Sequence, residues 1–171
     1  ATIVKKANDT LLHATLVIRQ GKIEAVGNNI AIPKEAVVID CNGKYIYPGF
    51  IDIYTDYGIA SAQPQQAAAG GGGGGFFRTQ QITSNTKGAY GWNQAIKSET
   101  EAYKIFSADD AKAKTLRDIG FGAVLTHQKD GIARGTGAFV TLANEPDNFV
   151  FIKDRASAHY SFSRGTSGQS Y

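Results

Sequence analysis

The chain has 171 residues, 42% hydrophobic and 19% charged, which is enough apolar content for a buried core and too much for wholesale disorder. Its net charge is +3, and the charges are dispersed, so no nucleic-acid partner is expected. A single cysteine, Cys41, excludes a disulfide framework, and no apolar run approaches the roughly 18 residues of a membrane helix, so no membrane partner is expected either.

Taken in chain order, the first fifty residues read as short strands with tight turns. Residues 2–5 form the first. Residues 15–19 and 22–26 are β-rich and flank Gln20-Gly21, a two-residue turn with glycine where positive φ is needed. Residues 36–40 read as another strand, and Asn42-Gly43, the strongest hairpin dipeptide in the chain, leads into 44–47. Pro48-Gly49 punctuates, and 50–54 reads as a further strand. This density of short strands suggests half of a small β-sandwich.

Residues 59–88 change character. Gly70 to Gly75 are consecutive glycines, with no side chains to bury and the highest ordering entropy of any sequence, and the segment reads as a mobile surface loop. Any polyglycine satisfies the G-x-G-x-x-G pattern formally. No strand leads in and no capped helix follows, so it carries no nucleotide site. Order returns at Tyr90-Gly-Trp92.

The clearest helix spans 107–119. Ser107 and Asp110 read as a capping box, Asp109 and Asp110 favour the positive end, and Gly120 stops it. The apolar run 121–126 follows directly. Helix, glycine and continuous apolar strand together are the pattern of a covered parallel sheet. Residues 138–142 and 149–153 read as two more strands, and the last fifteen residues are polar.

Candidate chemistry is sparse. His13, His127 and His159 lie far apart with no metal-ligand spacing. His127 sits at the end of an apolar strand, where ligand groups collect in α/β folds, although a lone histidine more often just satisfies a hydrogen bond. His159 has no partner in sequence. The stretch 131–137, with Asp130 before it, reads first as a tight connection that needs glycine conformations. The same loop can present backbone N–H groups to an anion with Arg134 beside them. The pocket candidates are therefore His127, Asp130 and Arg134. No Ser–His–Asp or Cys–His set is assignable, so no catalytic residue is expected.

Two segments carry a resemblance. Thr15-Leu-Val-Ile-Arg-Gln-Gly-Lys-Ile-Glu-Ala-Val-Gly27 and Val38-Ile-Asp-Cys-Asn-Gly-Lys-Tyr-Ile-Tyr-Pro-Gly-Phe-Ile-Asp52 closely resemble the N-terminus of the metal-dependent amidohydrolases. Trp92-Asn-Gln-Ala-Ile-Lys97 and the segments 107–119, 122–126 and 131–140 are similar to the imidazolonepropionase-like branch of that family. The resemblance implies a mixed α/β fold with two parts. Residues 1–47 would be the strands of an incomplete β-sandwich, and 48–171 the first β/α segments of an incomplete TIM-like barrel. It implies a hydrolase acting on non-peptide C–N bonds with a divalent metal, zinc, as cofactor.

The departures from the family pattern are as informative. The family continues Pro-Gly-Phe-Ile-Asp with x-His-x-His, whose imidazoles bind the metal. Here Tyr54 and Asp56 hold those positions, and the next histidine downstream is His127. A phenol with a pKa of about 10 is a poor zinc ligand at neutral pH, and one carboxylate does not make a site. No metal is therefore expected in this chain. A (β/α)₈ barrel takes about 250 residues, more than follow Pro48, so the chain reads as an N-terminal piece, inactive by itself. The alternative is a degenerate module with a binding or interaction role. Unclosed strand edges imply self-association or pairing with a missing C-terminal part. The branch includes cytoplasmic and exported bacterial proteins. A chain beginning at Ala1 without methionine, read as processed or trimmed, leaves the compartment open.

Overall fold

The computed structural model describes residues 1–61 and 93–167. The expected glycine loop, apart from its first residues, and Trp92 lie outside the described residues. The chain divides into two compact units, Ala1–Gly49 and Phe50–Tyr171.

The first unit contains β1 (Thr2–Lys6), β2 (Asp9–Leu11), β3 (Thr15–Arg19), β4 (Lys22–Gly27) and β5 (Tyr45–Ile46). β1 pairs antiparallel with β2 and parallel with β5, while β3 and β4 form a separate hairpin. That hairpin turns where expected: Gln20 and Gly21 have φ of 50° and 72°, the two positive values of a type I′ turn.

Two expectations for this unit fail. Residues 36–40 are not a strand, and Asn42-Gly43 does not close a hairpin, because β5 pairs parallel with β1. Instead Ala36 N–H donates to the Pro33 carbonyl, and Asp40 accepts from Asn42 N–H at 2.9 Å. Val37, Val38 and Ile39 are 91%, 67% and 79% exposed. β-propensity measures fit to a pleated, half-buried surface, and no described strand offers that surface here. These residues line one wall of an apolar cleft of about 630 Å³, faced by Leu16, Ile18 and Ile46.

The second unit is a mixed α/β layer. β6 (Phe50–Thr55) leads, across the undescribed segment, to α1 (Ala102–Ile105) and α2 (Asp110–Asp118). β7 (Phe121–Thr126), β8 (Ala133–Thr141), α3 (Asp147–Val150) and β9 (Phe151–Tyr160) complete it. The sheet order is β6-β7-β8-β9. β6 and β7 are parallel, as a helix–glycine–apolar strand sequence requires, but β7–β8 and β8–β9 are antiparallel. The parallel character thus ends after one crossover.

The helix start also differs from expectation. The cap of α2 is Asp109, which accepts from Lys112 N–H at 3.0 Å, so the Ser107–Asp110 capping box does not form. Ser107 N–H donates instead to the Gly58 carbonyl. Gly120 does stop the helix, at φ 101°, a value costly for any side chain. Ala113 of α2, Val124 of β7, Ala138 and Val140 of β8, Leu142 and Val150 are buried together with Tyr57, Ile59, Ala102 and Phe106. Tyr57, Phe106 and Phe151 extend this core as edge-to-face rings 5.2 and 5.7 Å apart.

The expected loop at 131–137 is mostly strand, since β8 begins at Ala133, and β9 runs on to Tyr160. The glycines are there because the 95–101 segment runs closely alongside β8, with parallel bridges from Ile96 to Ala133 and from Glu101 to Thr136. Ile132 N–H donates to the Ala95 carbonyl, Lys97 N–H to Ala133, and Thr136 N–H to Thr100. A Cβ on Gly131 would fall 2.7 Å from the Ala95 oxygen, and one on Gly135 would overlap the Thr100 oxygen. Glycine conformations are needed as expected, at φ of 94° and 78°, but they serve a strand crowded by neighbouring backbone and not a tight connection.

Candidate functional site

The strand directions explain where polar chemistry collects. β6 and β7 run the same way, β8 runs back, and β9 runs forward again. The C-terminal ends of β6, β7 and β9 therefore lie at the same end of the sheet as the start of β8. Tyr54 and Asp56, His127, Arg134, and Ser157 with His159 come from those four strand ends.

At the centre is His127, 0% exposed, whose N–H donates to the Thr55 carbonyl at 3.0 Å. Its Nδ1 lies 2.8 Å from the Gln128 carbonyl oxygen. A carbonyl only accepts, so Nδ1 carries the proton and Nε2 presents a lone pair. That Nε2 is buried and has no hydrogen-bond partner among the described residues. His159 stacks on the His127 ring, with centroids 3.6 Å apart and planes 18° apart, and its Nε2 is 2.6 Å from Ser157 Oγ. Tyr54 meets His127 edge-on at 4.8 Å.

Arg134 is the charged member, and it is 6% exposed. Its Nε donates to the Gly131 carbonyl at 2.9 Å and one Nη1 hydrogen to Tyr54 Oη at 2.8 Å. No carboxylate pairs with it among the described residues. A guanidinium has five N–H donors, so the terminal Nη1/Nη2 edge keeps three. A second cation lies at the rim: Lys129 Nζ is 3.2 Å from Asp56 Oδ1 and 5.2 Å from the Tyr54 ring centre.

The electrostatics follow from this packing. Burial pushes the His127 imidazole below its ordinary range, and Arg134 and Lys129 push the same way against the Gln128 carbonyl and Asp56. His159 is pushed down to about 4, by burial first and then by His127 and Arg134. Both rings are neutral near pH 7.

The sequence grouped His127, Asp130 and Arg134; the structure brings His127 and Arg134 to Tyr54 and separates Asp130 from them. Asp130 turns away to Lys97 and to Thr166, whose N–H and Oγ1 it accepts at 2.6 and 2.9 Å. Burial raises its carboxyl, but the bonds from Lys97 and Thr166 outweigh that and hold it below the usual carboxylate range. The group is a structural tie for the 161–167 segment. The residues missed are His159, Ser157 and Lys129. The available signal was the i, i+2 spacing of Ser157 and His159, which puts both on one face of a strand.

Tyr54 and Asp56, at the metal-motif positions, meet a guanidinium and an ammonium, which are the charges that a divalent cation would oppose. A phenol and one carboxylate under two cations do not fit zinc. Among the described residues, no group of three His, Cys, Asp or Glu side chains is placed to hold an ion.

No known family profile matches the chain. An imidazolonepropionase from Vibrio cholerae serotype O1 is 38% identical over 52 residues, 30% of this chain and 13% of that protein. A dihydroorotase from Lactobacillus helveticus is 35% identical over 60 residues, again 13% of its length, and one from Caldanaerobacter subterraneus is 43% identical over 42 residues. The crystal structure of an amidohydrolase from Thermotoga maritima MSB8 superposes with a TM-score of 0.58 at 19% identity, covering 88% of this chain and 35% of that one. The chain thus spans about an eighth of the curated relatives it matches.

Proposed function

We propose, on the premise that this chain is the N-terminal portion of an amidohydrolase-superfamily protein, that it is a scaffold region in which the metal chemistry of the superfamily has been replaced. In this reading the first unit supplies part of a β-sandwich and the second opens an incomplete TIM-like barrel of the imidazolonepropionase-like branch. Hydrolysis of non-peptide C–N bonds by a metal-bound water belongs to relatives with a complete ligand set. This region does not supply it.

One observation carries the reading. Arg134 and Lys129 hold the two side chains that stand at the ligand positions, Tyr54 and Asp56. Organic cations there neutralise the local acceptors and repel a divalent ion. Thermal unfolding of the full-length protein with zinc and then with a chelator tests this. Neither addition moves the midpoint if the reading holds, and a zinc-dependent rise reversed by the chelator and abolished in Asp56→Asn would overturn it.

A binding role is the second reading, favoured by the buried, carboxylate-free Arg134. Burying an uncompensated guanidinium costs several kcal/mol, about 3–5 by comparison with broken buried ion pairs. A binding site for an anion removes that cost. β6 and β9 end the sheet order among the described residues, and such edges support pairing with further chain or with a second copy.

A further inference from the structure

Two places in the chain put a side-chain carbonyl carbon next to a glycine nitrogen, the arrangement from which a succinimide ring can close. Asn42 is the one asparagine in the sequence that precedes a glycine, and Asp130 the one aspartate. The fold opens the first pair and shuts the second.

At Asn42-Gly43 nothing covers the reacting groups. Both residues are exposed, and neither the Asn42 carboxamide nor the Gly43 N–H has a hydrogen-bond partner among the described residues. Gly43 has φ of 70° and no atom within 4 Å of where a Cβ would stand, so its nitrogen is unhindered. The turn is held by Lys44 N–H on the Cys41 carbonyl at 3.1 Å, and the bond from Asn42 N–H to Asp40 involves neither reacting group. The flanking charges, Asp40 and Lys44, oppose each other.

At Asp130-Gly131 the same spacing is closed off. Asp130 is 8% exposed, and its oxygens accept from Thr166 N–H and Oγ1 at 2.6 and 2.9 Å and from Lys97. A carboxylate tied in this way does not turn onto the Gly131 nitrogen. Gly165 packs so close that a Cβ there would strike both Asp130 Oδ1 and that nitrogen.

We infer that Asn42-Gly43 is a site of spontaneous deamidation in the folded protein, with water as the only co-reactant. Gly43 N–H loses its proton to solvent base, and the nitrogen attacks Asn42 Cγ. The N–Cγ bond forms, the Cγ–Nδ2 bond breaks, and the side-chain nitrogen takes up a proton and leaves as ammonia. Water then opens the succinimide at either carbonyl, giving aspartate or isoaspartate at position 42. Each product lowers the net charge of +3 by one unit. Isoaspartate also adds a carbon to the main chain in the turn leading into β5, whose pairing with β1 spans only Tyr45 and Ile46.

The test is incubation of the full-length protein at 37 °C and pH 8, followed by peptide mapping with mass spectrometry, beside a free peptide of residues 38–47. Conversion in the protein proceeds within about tenfold of the peptide rate, because opening the turn breaks one exposed backbone hydrogen bond. A slower rate, or none, overturns the site. The reaction gives two isomeric products at position 42, slows at pH 6 and is lost in Asn42→Gln, whose longer side chain closes a ring less readily; mass gain that persists in that variant overturns the assignment. Asp130→Asn places the same reactive pair at the shut position, where it converts at least about tenfold more slowly than position 42, since burial and tied partners suppress local opening. Equal rates at the two positions overturn the argument from exposure. If that variant fails to fold, the comparison of protein with peptide still decides.

Discussion

The two units use similar strand sequences with different results. In the first, Ile3 and Ala14 are the buried apolar residues, and Val37, Val38 and Ile39 stand in solvent although their pattern is as β-rich as β7. In the second, α2 covers β7, and ten residues from helices, strands and loops bury one another. Propensity became strand where a neighbouring strand was present, and a larger buried core formed where a helix covered the strands as well. Where neither was available, the same residue types stayed outside any strand and exposed. The polar site follows the same rule, since its parts sit at the ends of the strands that are paired.

Core truncation gives the largest contrast. Leu142→Ala, in the buried cluster, should cost about 2–5 kcal/mol in denaturant unfolding. Ile39→Ala, 79% exposed, should cost about 0.5 kcal/mol or less. Equal losses would break the comparison.

Glycine substitution sharpens it. Gly135→Ala combines φ of 78° with overlap onto the Thr100 oxygen and should cost about 3 kcal/mol. Gly43→Ala has φ of 70° but open space around the new methyl, so only the left-handed backbone penalty of about 1 kcal/mol applies.

Acid should act on the second unit through His159. Its folded value of about 4 lies below the ordinary 6.5, so the unfolded chain binds the proton more readily. The stability it contributes is present above pH 6.5 and declines as the pH falls toward 4. His159→Gln should flatten that part of the stability–pH curve. Asp130 acts in a lower window: held below its ordinary value, its contribution is lost only as the pH falls through the folded value. The smallest effect is expected at the exposed Lys114–Asp118 pair, where Lys114→Ala should change stability by about 0.5 kcal/mol or less.

Local signals were legible where the physics is local. Gln20-Gly21 turned the hairpin, Gly120 stopped the helix, and the apolar run 121–126 became the strand beside β6. His127 was placed correctly at a strand end. Residues 36–40 misled because a strand needs a partner that the pattern alone does not name. The glycines of 131–137 marked crowding by 95–101, a contact decided some thirty-five residues away in the chain. The stacking of His159 on His127 was hidden for the same reason. It arises from the β8–β9 register, which brings Ala133 opposite Tyr160. Asp130 was grouped with Arg134 as a pocket candidate by proximity in sequence, and the start of β8 sends the two side chains to different neighbours.

The most direct test of the central claim is the zinc content of the full-length protein, purified with zinc present, dialysed, and measured by mass spectrometry of the elements. With Arg134 on Tyr54 and Lys129 on Asp56, the metal should stay well below one atom per chain and be the same in Asp56→Asn. One tightly held zinc per chain, lost in Asp56→Asn, would contradict the account.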